Sequence, residues 1–487
     1  MPTERPLTLA IAGATGFVGQ SIIPSLSKRF RLLGLTRSKT RGSRPDETGH
    51  IEWRRCDLFS LLQLEETLHD ADVAIYLVHS MLPSSRLTQG HFADLDLLMA
   101  DNFGRAARTC GVQQIIYLGG LLPKDTHDLS PHLRSRWEVE QALGAHGVPV
   151  TSLRAGLVVG PGGSSLKMLV NLVKRLPAMA LPKWTSSQMQ PIAIQDVVRA
   201  FHHVIGQEAF YGRPFDIGGP EVMTYAHMLR RTARILGVDR PSVGLPVFSP
   251  RLSRLWISMI SGSPQTLVGP LIESLRHEMV VEPNPLQAWL EPHTTGFDDA
   301  LRQSLNETGE LRPNPRAYLR VTDDAAIREA QYVRSIQRLP LPRGRTAQWA
   351  AYEYLRWLPR FLNPFLRATV SADGVCAIYL KPLDQPLLVL SLSSDRSHAD
   401  RPLFYITGGL LVDASSDHGR LEFREVLDGS ALMAGIHDFR PRLPWHLYNA
   451  TQALLHLWVM RSFGIHLQRV HRAIAPAETV AAGGGQS

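Results

Sequence analysis

LTLAIAGATGFVG, residues 7–19, decides the fold of this chain: a short apolar run passes into a turn with glycines at positions 13, 16 and 19. Gly13 suits a tight turn, Gly16 lets a phosphate approach the backbone, and Gly19 lets the following helix pack close to the strand. The N-terminus of that helix would face the anion. The pattern predicts a site for a dinucleotide pyrophosphate, contacted by Gly13, Thr15, Gly16, Phe17, Val18 and Gly19. A purely structural turn is the alternative.

The sequence around this turn alternates apolar strand patterns with helical ones. Further strands are predicted over 31–36, 51–54, 73–78, 114–118 and 150–153, and a long helix over 89–109. Strands that alternate with helices indicate an α/β fold with a doubly wound parallel Rossmann sheet, in which ligands bind at the carboxyl ends of the strands.

The end of the second strand determines the choice of cofactor. An acidic residue there would bind a ribose 2′-hydroxyl group, whereas a basic one would bind a 2′-phosphate. Arg37, Lys39 and Arg41 follow this strand, and the first carboxylate is Asp46. The sequence therefore predicts NADP(H) in preference to NAD(H), with Arg37 as the main phosphate contact because a guanidinium group matches phosphate oxygens. A solvated basic loop is the alternative.

Several motifs in the first 300 residues resemble the extended, atypical short-chain dehydrogenases/reductases, including NAD-dependent epimerases and NmrA-like proteins. They are GATGFVG (13–19), CDL (56–58), YLVHSM (76–81), PIAIQDV (191–197) and FDIGGPEVMTY (215–225). The resemblance implies that Asp57 and Leu58 contact the adenine. It also implies that Val78, His79 and Ser80 line the cofactor near the nicotinamide ribose. Asp196 would organise a second subdomain or cap a helix.

The chain departs from this family at the catalytic pair. Redox-active members use a Tyr-x-x-x-Lys pair, in which tyrosine transfers a proton and lysine lowers its pKa. The corresponding segment SPHLRSRWEVEQAL (130–143) has His132 and Arg136 in these places, and Leu118–Gly120 stands where a serine is usual. His132 and Arg136 are the catalytic candidates, with a histidine at a helix start as the alternative. Tyr117 and Tyr76 are other possible proton donors or packing residues.

The last part of the chain has a different pattern, with a predicted boundary at 310–330. A helix is predicted over 349–362, then strands over 368–370, 375–380, 387–392, 401–411, 419–427 and 431–439, and a long helix over 445–467. This order predicts an α+β helix-grip domain around an apolar cavity. The predicted domains are 1–310, 325–470 and a disordered tail over 471–487.

Four stretches of this domain resemble bacterial YbjT-type proteins, which carry a reductase-like domain and a C-terminal domain of unknown function (DUF2867 type). They are SIQRLPLPRGR (335–345), FYITGGLL (404–411), GRLEFREV (419–426) and IHDFRPRLPW (436–445). The last one holds a polar cluster of His437, Asp438, Arg440 and Arg442, which could bind an anionic head group or form a hydrogen-bonded corner.

Composition limits the partners. The formal net charge of +8 is spread over 487 residues, which does not indicate nucleic-acid binding. Three distant cysteines suit a reducing compartment and predict neither a disulfide framework nor a metal site, and the chain is expected to be cytoplasmic. Val247–Leu275 and Leu454–Met460 are amphipathic enough for peripheral membrane contact at most, with core packing preferred.

Three functions are consistent with these patterns. The first is NADP(H)-dependent reduction or epimerisation of a small, apolar carbonyl or sugar-nucleotide-like substrate. The second is a non-catalytic NADP(H) sensor or assembly factor, because the usual catalytic pair is missing. The third is an apolar-ligand carrier that uses the C-terminal cavity. The sequence leaves the oligomeric state open.

Overall fold

The computed structural model describes residues 5–38, 51–79, 88–126, 128–175, 179–239, 241–245, 273–313, 332–371, 374–413 and 419–482. Ser80, Lys39, Arg41 and most of the segment Val247–Leu275 lie outside these ranges. The chain divides into two compact units. The first comprises Met1–Leu82 and Met99–Ala326, and the second Pro83–Leu98 and Ile327–Ser487.

The part of the chain up to residue 313 contains the strands β1 Thr8–Ala12, β2 Arg31–Thr36, β3 Glu52–Arg55, β4 Val73–Tyr76, β5 Thr88–Gln89, β6 Gln114–Gly120, β7 Val150–Ala155, β8 Val158–Val159, β9 Met179–Pro182, β10 Gln188–Met189, β11 Ile192–Ala193, β12 Pro214–Ile217, β13 Met223–Thr224 and β14 Ser242–Leu245. The helices of this part are α1 Phe17–Leu26, α2 Leu61–Leu68, α3 Phe92–Thr109, α4 Pro131–Gly144, α5 Ser164–Arg175, α6 Ile194–Val204, α7 Tyr225–Ile235, α8 Pro285–Leu290 and α9 Phe297–Gln303. Short 3-10 turns span Lys183–Ser186, Glu208–Phe210 and Glu291–His293.

A seven-stranded parallel sheet forms the centre of the first unit, in the order β12-β7-β6-β4-β1-β2-β3. The strand order reverses between β1 and β4, which creates a crevice beyond the carboxyl ends of these strands. Leu9, Ile11, Ile22 and Ile23 are fully buried between the sheet and α1. The predicted doubly wound parallel fold is therefore confirmed.

A second apolar core lies beside the carboxyl ends of this sheet, built by α5, α7 and α9 with the short strands between them. Leu166, Val173, Met228 and Leu301 are fully buried there. Helix α5 contributes to this core from a position earlier in the chain than α7 and α9.

An eight-stranded mixed sheet forms the second unit, in the order β16-β17-β18-β19-β20-β21-β15-β5. Its further strands are β15 Val333–Pro340, β16 Leu366–Val370, β17 Val375–Leu380, β18 Pro386–Leu392, β19 Leu403–Gly408, β20 Arg420–Val426 and β21 Ala431–Phe439. Its helices are α10 Ala347–Phe361, α11 Trp445–Ala450 and α12 Gln452–Ala482. Residues of α10 and α12 share one buried core with this sheet, in agreement with the predicted α+β class.

The second unit differs from the prediction in its boundary. Pro83–Leu98 belongs to it, whereas the sequence analysis placed this segment in the first domain. The two-residue strand β5 pairs with β15 in parallel, Thr88 opposite Arg334 and Gln89 opposite Ser335. A strand this short has no hydrophobic periodicity, so local sequence could not reveal a pairing with residues about 250 positions away.

The C-terminal helix is longer than predicted. Helix α12 continues to Ala482, past residue 471 where the predicted disordered tail begins. The domain limits stay a prediction. The ring of Tyr354 packs against those of Phe423 and Phe463, with centroids 5.5 and 5.1 Å apart. The apolar ligand cavity expected in this unit stays a prediction.

Candidate cofactor and substrate site

The glycine turn has the conformation that its sequence predicts. Gly13 has a φ of +86°, and a Cβ atom there would lie 3.0 Å from the backbone of Leu77, just beyond β4. A Cβ atom at Gly19 would lie 2.4 Å from the Gly13 carbonyl oxygen. Only glycine fits at either position, so the turn, α1 and the end of β4 approach each other closely.

The N-terminus of α1 opens at this turn. Gly16 is the N-cap residue and has no side chain to accept hydrogen bonds from the amides of the first helical turn. The turn is held from behind, because the Gly16 N–H donates to the Gly13 carbonyl at 2.9 Å and the Gln20 side chain donates to the Thr15 carbonyl at 2.7 Å. Phe17 and Val18 are half-buried in the first turn of the helix. The residues present fit a pyrophosphate group, since uncapped amides and the helix dipole favour an anion.

The residues predicted to hold the adenosine end lie beyond neighbouring strands. Arg37 is exposed one residue after β2. Asp57 and Leu58 follow β3, and the Cys56 N–H donates to the Thr36 carbonyl at 2.7 Å, which brings the two strand ends together. The Asn102 side chain donates to the Leu58 carbonyl at 2.9 Å and fixes this loop. Arg37, Asp57 and Leu58 thus lie where they could contact the adenosine end of a dinucleotide, and these contacts stay a prediction.

The end of β4 leads from the glycine turn to a cavity. The Leu77 N–H donates to the Ala12 carbonyl at 3.0 Å, and half-buried Val78 and His79 follow. His79 lines a cavity of about 320 Å³ in the first unit. Most of its wall is apolar; the lining residues include Leu118, Leu121, Leu133, Leu157, Met168, Leu169, Leu172, Trp184, Met189, Tyr225, Met228, Leu229 and Met279.

The two catalytic candidates lie on α4 and both line this cavity. Ser130 caps the helix by accepting a hydrogen bond from the Leu133 N–H at 3.3 Å, and Pro131 occupies the first helical position. This start fixes the phase of α4, so His132 and Arg136, four residues apart, lie on the same face. Both side chains therefore face the cavity, and their catalytic role stays a prediction.

His132 is held in its neutral form. Burial lowers the pKa of its imidazole well below 6.5, and the positive charges of His79, when protonated, and Arg136 lower it further. The His79 and His132 rings lie 5.1 Å apart. Nδ1 of His132 is buried and has no hydrogen-bond partner among the described residues. A neutral imidazole can donate one N–H and accept at the other nitrogen, but it holds no ready proton to transfer.

Tyr117 and Tyr76 are packing residues. Both are fully buried. The Tyr117 hydroxyl donates to the Arg136 carbonyl at 3.2 Å, and the Tyr76 ring packs edge-on against Phe103 with centroids 5.0 Å apart. Neither tyrosine lines the cavity, so the alternative of packing is the one that the structure supports.

Tyr225 lines the cavity, and the sequence analysis did not select it as a site residue. It is the first residue of α7, whose N-cap Thr224 accepts from the His227 N–H at 3.1 Å. Burial raises the pKa of its phenol, and its ring meets Trp184 edge-on at 6.0 Å. Tyr225 is the last residue of the motif FDIGGPEVMTY, so the sequence contained a hint that it belongs to the site. Only the fold shows that α7 lies at the cavity.

Asp196 connects α6 to the loop before α9. Its carboxylate accepts from the Thr295 N–H at 2.8 Å and forms an ion pair with Arg199. The N-cap residue of α6 is Ala193, so the alternative of a helix cap is wrong. Burial raises the pKa of Asp196, against the lowering effects of Thr295 and Arg199.

The polar cluster of the second unit is split by the strand pleat. His437 is fully buried beside Glu422, whereas Asp438 pairs with Arg420 at 2.5 Å and Arg440 lies 3.9 Å from Asp413. Arg442 is exposed. Asp438 and Arg440 therefore form ion pairs within the protein, as the alternative of a hydrogen-bonded corner expects. The binding of an anionic head group stays a prediction.

Comparisons with known proteins agree with the fold of the first unit. Residues 9–218 match the model of the NAD dependent epimerase/dehydratase family. The auxiliary protein GraX of Staphylococcus aureus is 30% identical over 142 residues, which are 29% of this chain and 41% of that relative. The chain thus spans less than half the length of this curated relative.

Solved structures with similar folds include two reductases. The triphenylmethane reductase of Citrobacter sp. complexed with NADP(H) is 17% identical, with a TM-score of 0.48 that covers 61% of this chain and 100% of that one. An NADPH-dependent quinone oxidoreductase of Escherichia coli is 18% identical, with a TM-score of 0.47 over 60% of this chain and 98% of that one. Residues 9–218 are thus similar to the NAD dependent epimerase/dehydratase family, and the strand order of the first unit is that of a doubly wound fold.

Proposed function

We propose that the first unit binds NADP(H) and reduces an apolar carbonyl compound. The observation that carries the proposal is the continuity from the glycine turn, through the end of β4, to an apolar cavity at His79. In a doubly wound sheet, a dinucleotide that binds across the reversal in strand order directs its second half towards this side.

The chain's own residues would divide the cofactor between them. The turn from Gly13 to Gly19 would hold the pyrophosphate, and Arg37 would bind the 2′-phosphate. When bound, NADPH supplies a hydride. Neutral His132 would donate a hydrogen bond from a ring N–H to the substrate oxygen, and Arg136 would favour negative charge there. His132 would thus polarise a carbonyl group, with no charged imidazolium required, and the alkoxide formed by hydride addition would take its proton from a water molecule.

The cavity wall favours an apolar substrate over a sugar nucleotide. Its leucine and methionine side chains supply no hydrogen bonds, and a buried sugar needs a partner for each hydroxyl group. Epimerisation of a sugar nucleotide therefore has less support than reduction of an aromatic or quinone-like carbonyl compound.

A non-catalytic NADP(H) sensor is the second candidate. Two observations favour it. His132 is neutral and holds no ready proton for a substrate. Arg136 cannot lose its own proton, so it cannot tune the pKa of a partner as the lysine of the usual pair does. Two further expectations stay proposals: the resemblance of residues 325–470 to DUF2867-type domains, and a cytoplasmic location, which the three unpaired cysteines support.

Cofactor binding is tested by titrating the protein with NADPH and with NADH, following tryptophan fluorescence and melting temperature. We expect a response to NADPH at lower concentration. Arg37→Ala should weaken NADPH binding by roughly 10- to 100-fold, as expected for a charged hydrogen-bonded contact, and leave NADH binding unchanged. Arg108→Ala, another exposed arginine in the first unit, is the matched control. Equal effects of Arg37→Ala on both cofactors would contradict the assignment.

Turnover is tested by following NADPH consumption with a panel of quinones and aromatic aldehydes. His132→Gln should lower kcat by roughly 100-fold, the order expected for one donor to a developing oxyanion, with NADPH affinity retained. Tight NADPH binding without turnover of any compound would favour the sensor. Turnover that His132→Gln leaves unchanged would refute the role of His132.

A further inference from the structure

The second unit exposes large apolar side chains on its C-terminal helices. Phe365 is 65% exposed, Leu447 54%, Leu454 60%, Trp458 48% and Ile465 46%. We call these five residues the C-terminal apolar surface. Scattered single apolar residues are ordinary on protein surfaces, but a group that lies on two successive helices and the turn after α10 is a candidate contact site.

Helix α12 has two apolar sides. Met460, Phe463 and Leu467 are fully buried in the core of the second unit. Leu454, Trp458 and Ile465 recur at spacings of four and seven residues, so they form a stripe on another face of the helix, and that face is exposed. Core packing accounts for the first side, whereas the second side stays largely exposed to solvent.

The apolar surface continues onto α10 and the turn that follows it. The Trp458 ring lies 5.0 Å from that of Phe361, the last residue of α10. Phe365 follows one turn later, and its carbonyl accepts from the Lys381 N–H at 2.8 Å. Helix α11, which carries Leu447, is joined to α12 through the Thr451 hydroxyl, which donates to the Leu447 carbonyl.

The surface is bordered by positive charge. Residues 440–477 contain five arginines and no aspartate or glutamate; the first carboxylate is Glu478. Arg461, Arg469 and Arg472 are exposed on α12, on the same side as Trp458 and Ile465 by helical spacing. Three carboxylates on other elements of this unit have basic partners: Glu353 binds His466, Asp384 binds Arg367, and Asp413 lies 3.9 Å from Arg440.

We propose that the C-terminal apolar surface docks on a membrane that contains anionic phospholipids. Apolar side chains, a tryptophan and arginines on one side of a helix are the features of a helix that lies in a lipid interface. None of the described helices is long and apolar enough to cross a membrane. A second copy of the chain is a poorer occupant, because it would bring two surfaces with the same positive charge together.

Vesicle sedimentation tests the proposal with the full chain. We expect binding to vesicles of phosphatidylcholine with roughly one third phosphatidylglycerol, weak binding to phosphatidylcholine alone, and release by added salt. The reason is that the negative surface charge raises the partition coefficient by about fivefold for each arginine. Arg461→Gln/Arg469→Gln/Arg472→Gln should lower the partition coefficient on the order of 100-fold. Arg108→Gln/Arg134→Gln/Arg230→Gln, all exposed in the first unit, is the matched control.

The apolar contribution is tested separately. Leu454→Gln/Trp458→Gln should lower partitioning at least roughly 100-fold, as expected for two large side chains leaving an apolar environment. Leu62→Gln/Trp137→Gln, at positions exposed to 45% and 40%, should leave it unchanged. Circular dichroism verifies that every variant is folded. Equal binding to neutral and anionic vesicles, equal losses in the controls, or a dimer in sedimentation equilibrium that Leu454→Gln/Trp458→Gln dissociates would overturn the proposal.

Discussion

Replacing His132 with glutamine should remove a measurable part of the acid sensitivity of the first unit. Burial lowers the pKa of His132 well below its ordinary value of 6.5, so the folded protein keeps this imidazole neutral where the unfolded chain protonates it. Below about pH 6.5 the unfolded state therefore binds the extra proton, and the free energy of unfolding falls as the pH falls. Above that pH both states are neutral and His132 contributes no pH dependence.

The size of the effect follows from the pH interval. Each unit below 6.5 costs up to about 1.4 kcal/mol as long as the folded imidazole stays neutral. Between about pH 7 and pH 5.5, His132 can lower the free energy of unfolding by at most about 1.2 kcal/mol, because the unfolded chain is only partly protonated near pH 6.5. The wild-type protein should lose about this much more stability over the interval than His132→Gln does.

Urea denaturation at the two pH values, followed by circular dichroism, measures this difference. The comparison concerns the change with pH, so a constant destabilisation by glutamine does not affect it. His227→Gln, an exposed substitution on α7, is the control and should have the pH dependence of the wild type. An identical pH dependence in His132→Gln and the wild type would refute the inference that the folded site keeps His132 neutral.

Three further substitutions test the packing arguments. Gly19→Ala should destabilise the first unit by roughly 1–3 kcal/mol in urea denaturation and weaken NADPH binding, because its Cβ atom would lie 2.4 Å from the Gly13 carbonyl oxygen. Gly144→Ala, where the Cβ atom would meet Val150 at an ordinary 3.5 Å, should be tolerated, and an equal loss would contradict the steric reasoning. Glu422→Gln should destabilise the second unit by roughly 3–5 kcal/mol, measured by its melting transition, because Arg401 and Arg424 would be left buried without their carboxylate. Burial alone would raise the pKa of Glu422, but Arg424, Arg401 and His437 hold it well below its usual range, so a stable Glu422→Gln variant would show that this pairing contributes little. Tyr225→Phe should leave the fold intact and change KM for an apolar carbonyl compound, if one is turned over, more than it changes NADPH affinity; steady-state kinetics decides this.

The sequence by itself determined the features that depend on local periodicity and backbone conformation. The strands β2, β17 and β21 have their predicted limits, because unbroken or alternating apolar runs bounded by turns specify strands. Gly13 and Gly19 were assigned their roles from spacing alone, since a tight turn and a close helix approach both exclude a Cβ atom. Four-residue spacing likewise placed His132 and Arg136 on one face of α4.

Only the tertiary structure decided which distant segments meet. It paired Thr88 and Gln89 with β15, brought Tyr225 on α7 to the cavity beside His132, and left one side of α12 exposed at Trp458. It also set the protonation of His132, because burial and the neighbouring Arg136 are properties of the folded site. Local sequence carries the preference of each segment for helix or strand, whereas burial, desolvation and charge proximity arise only when segments far apart in the chain pack together.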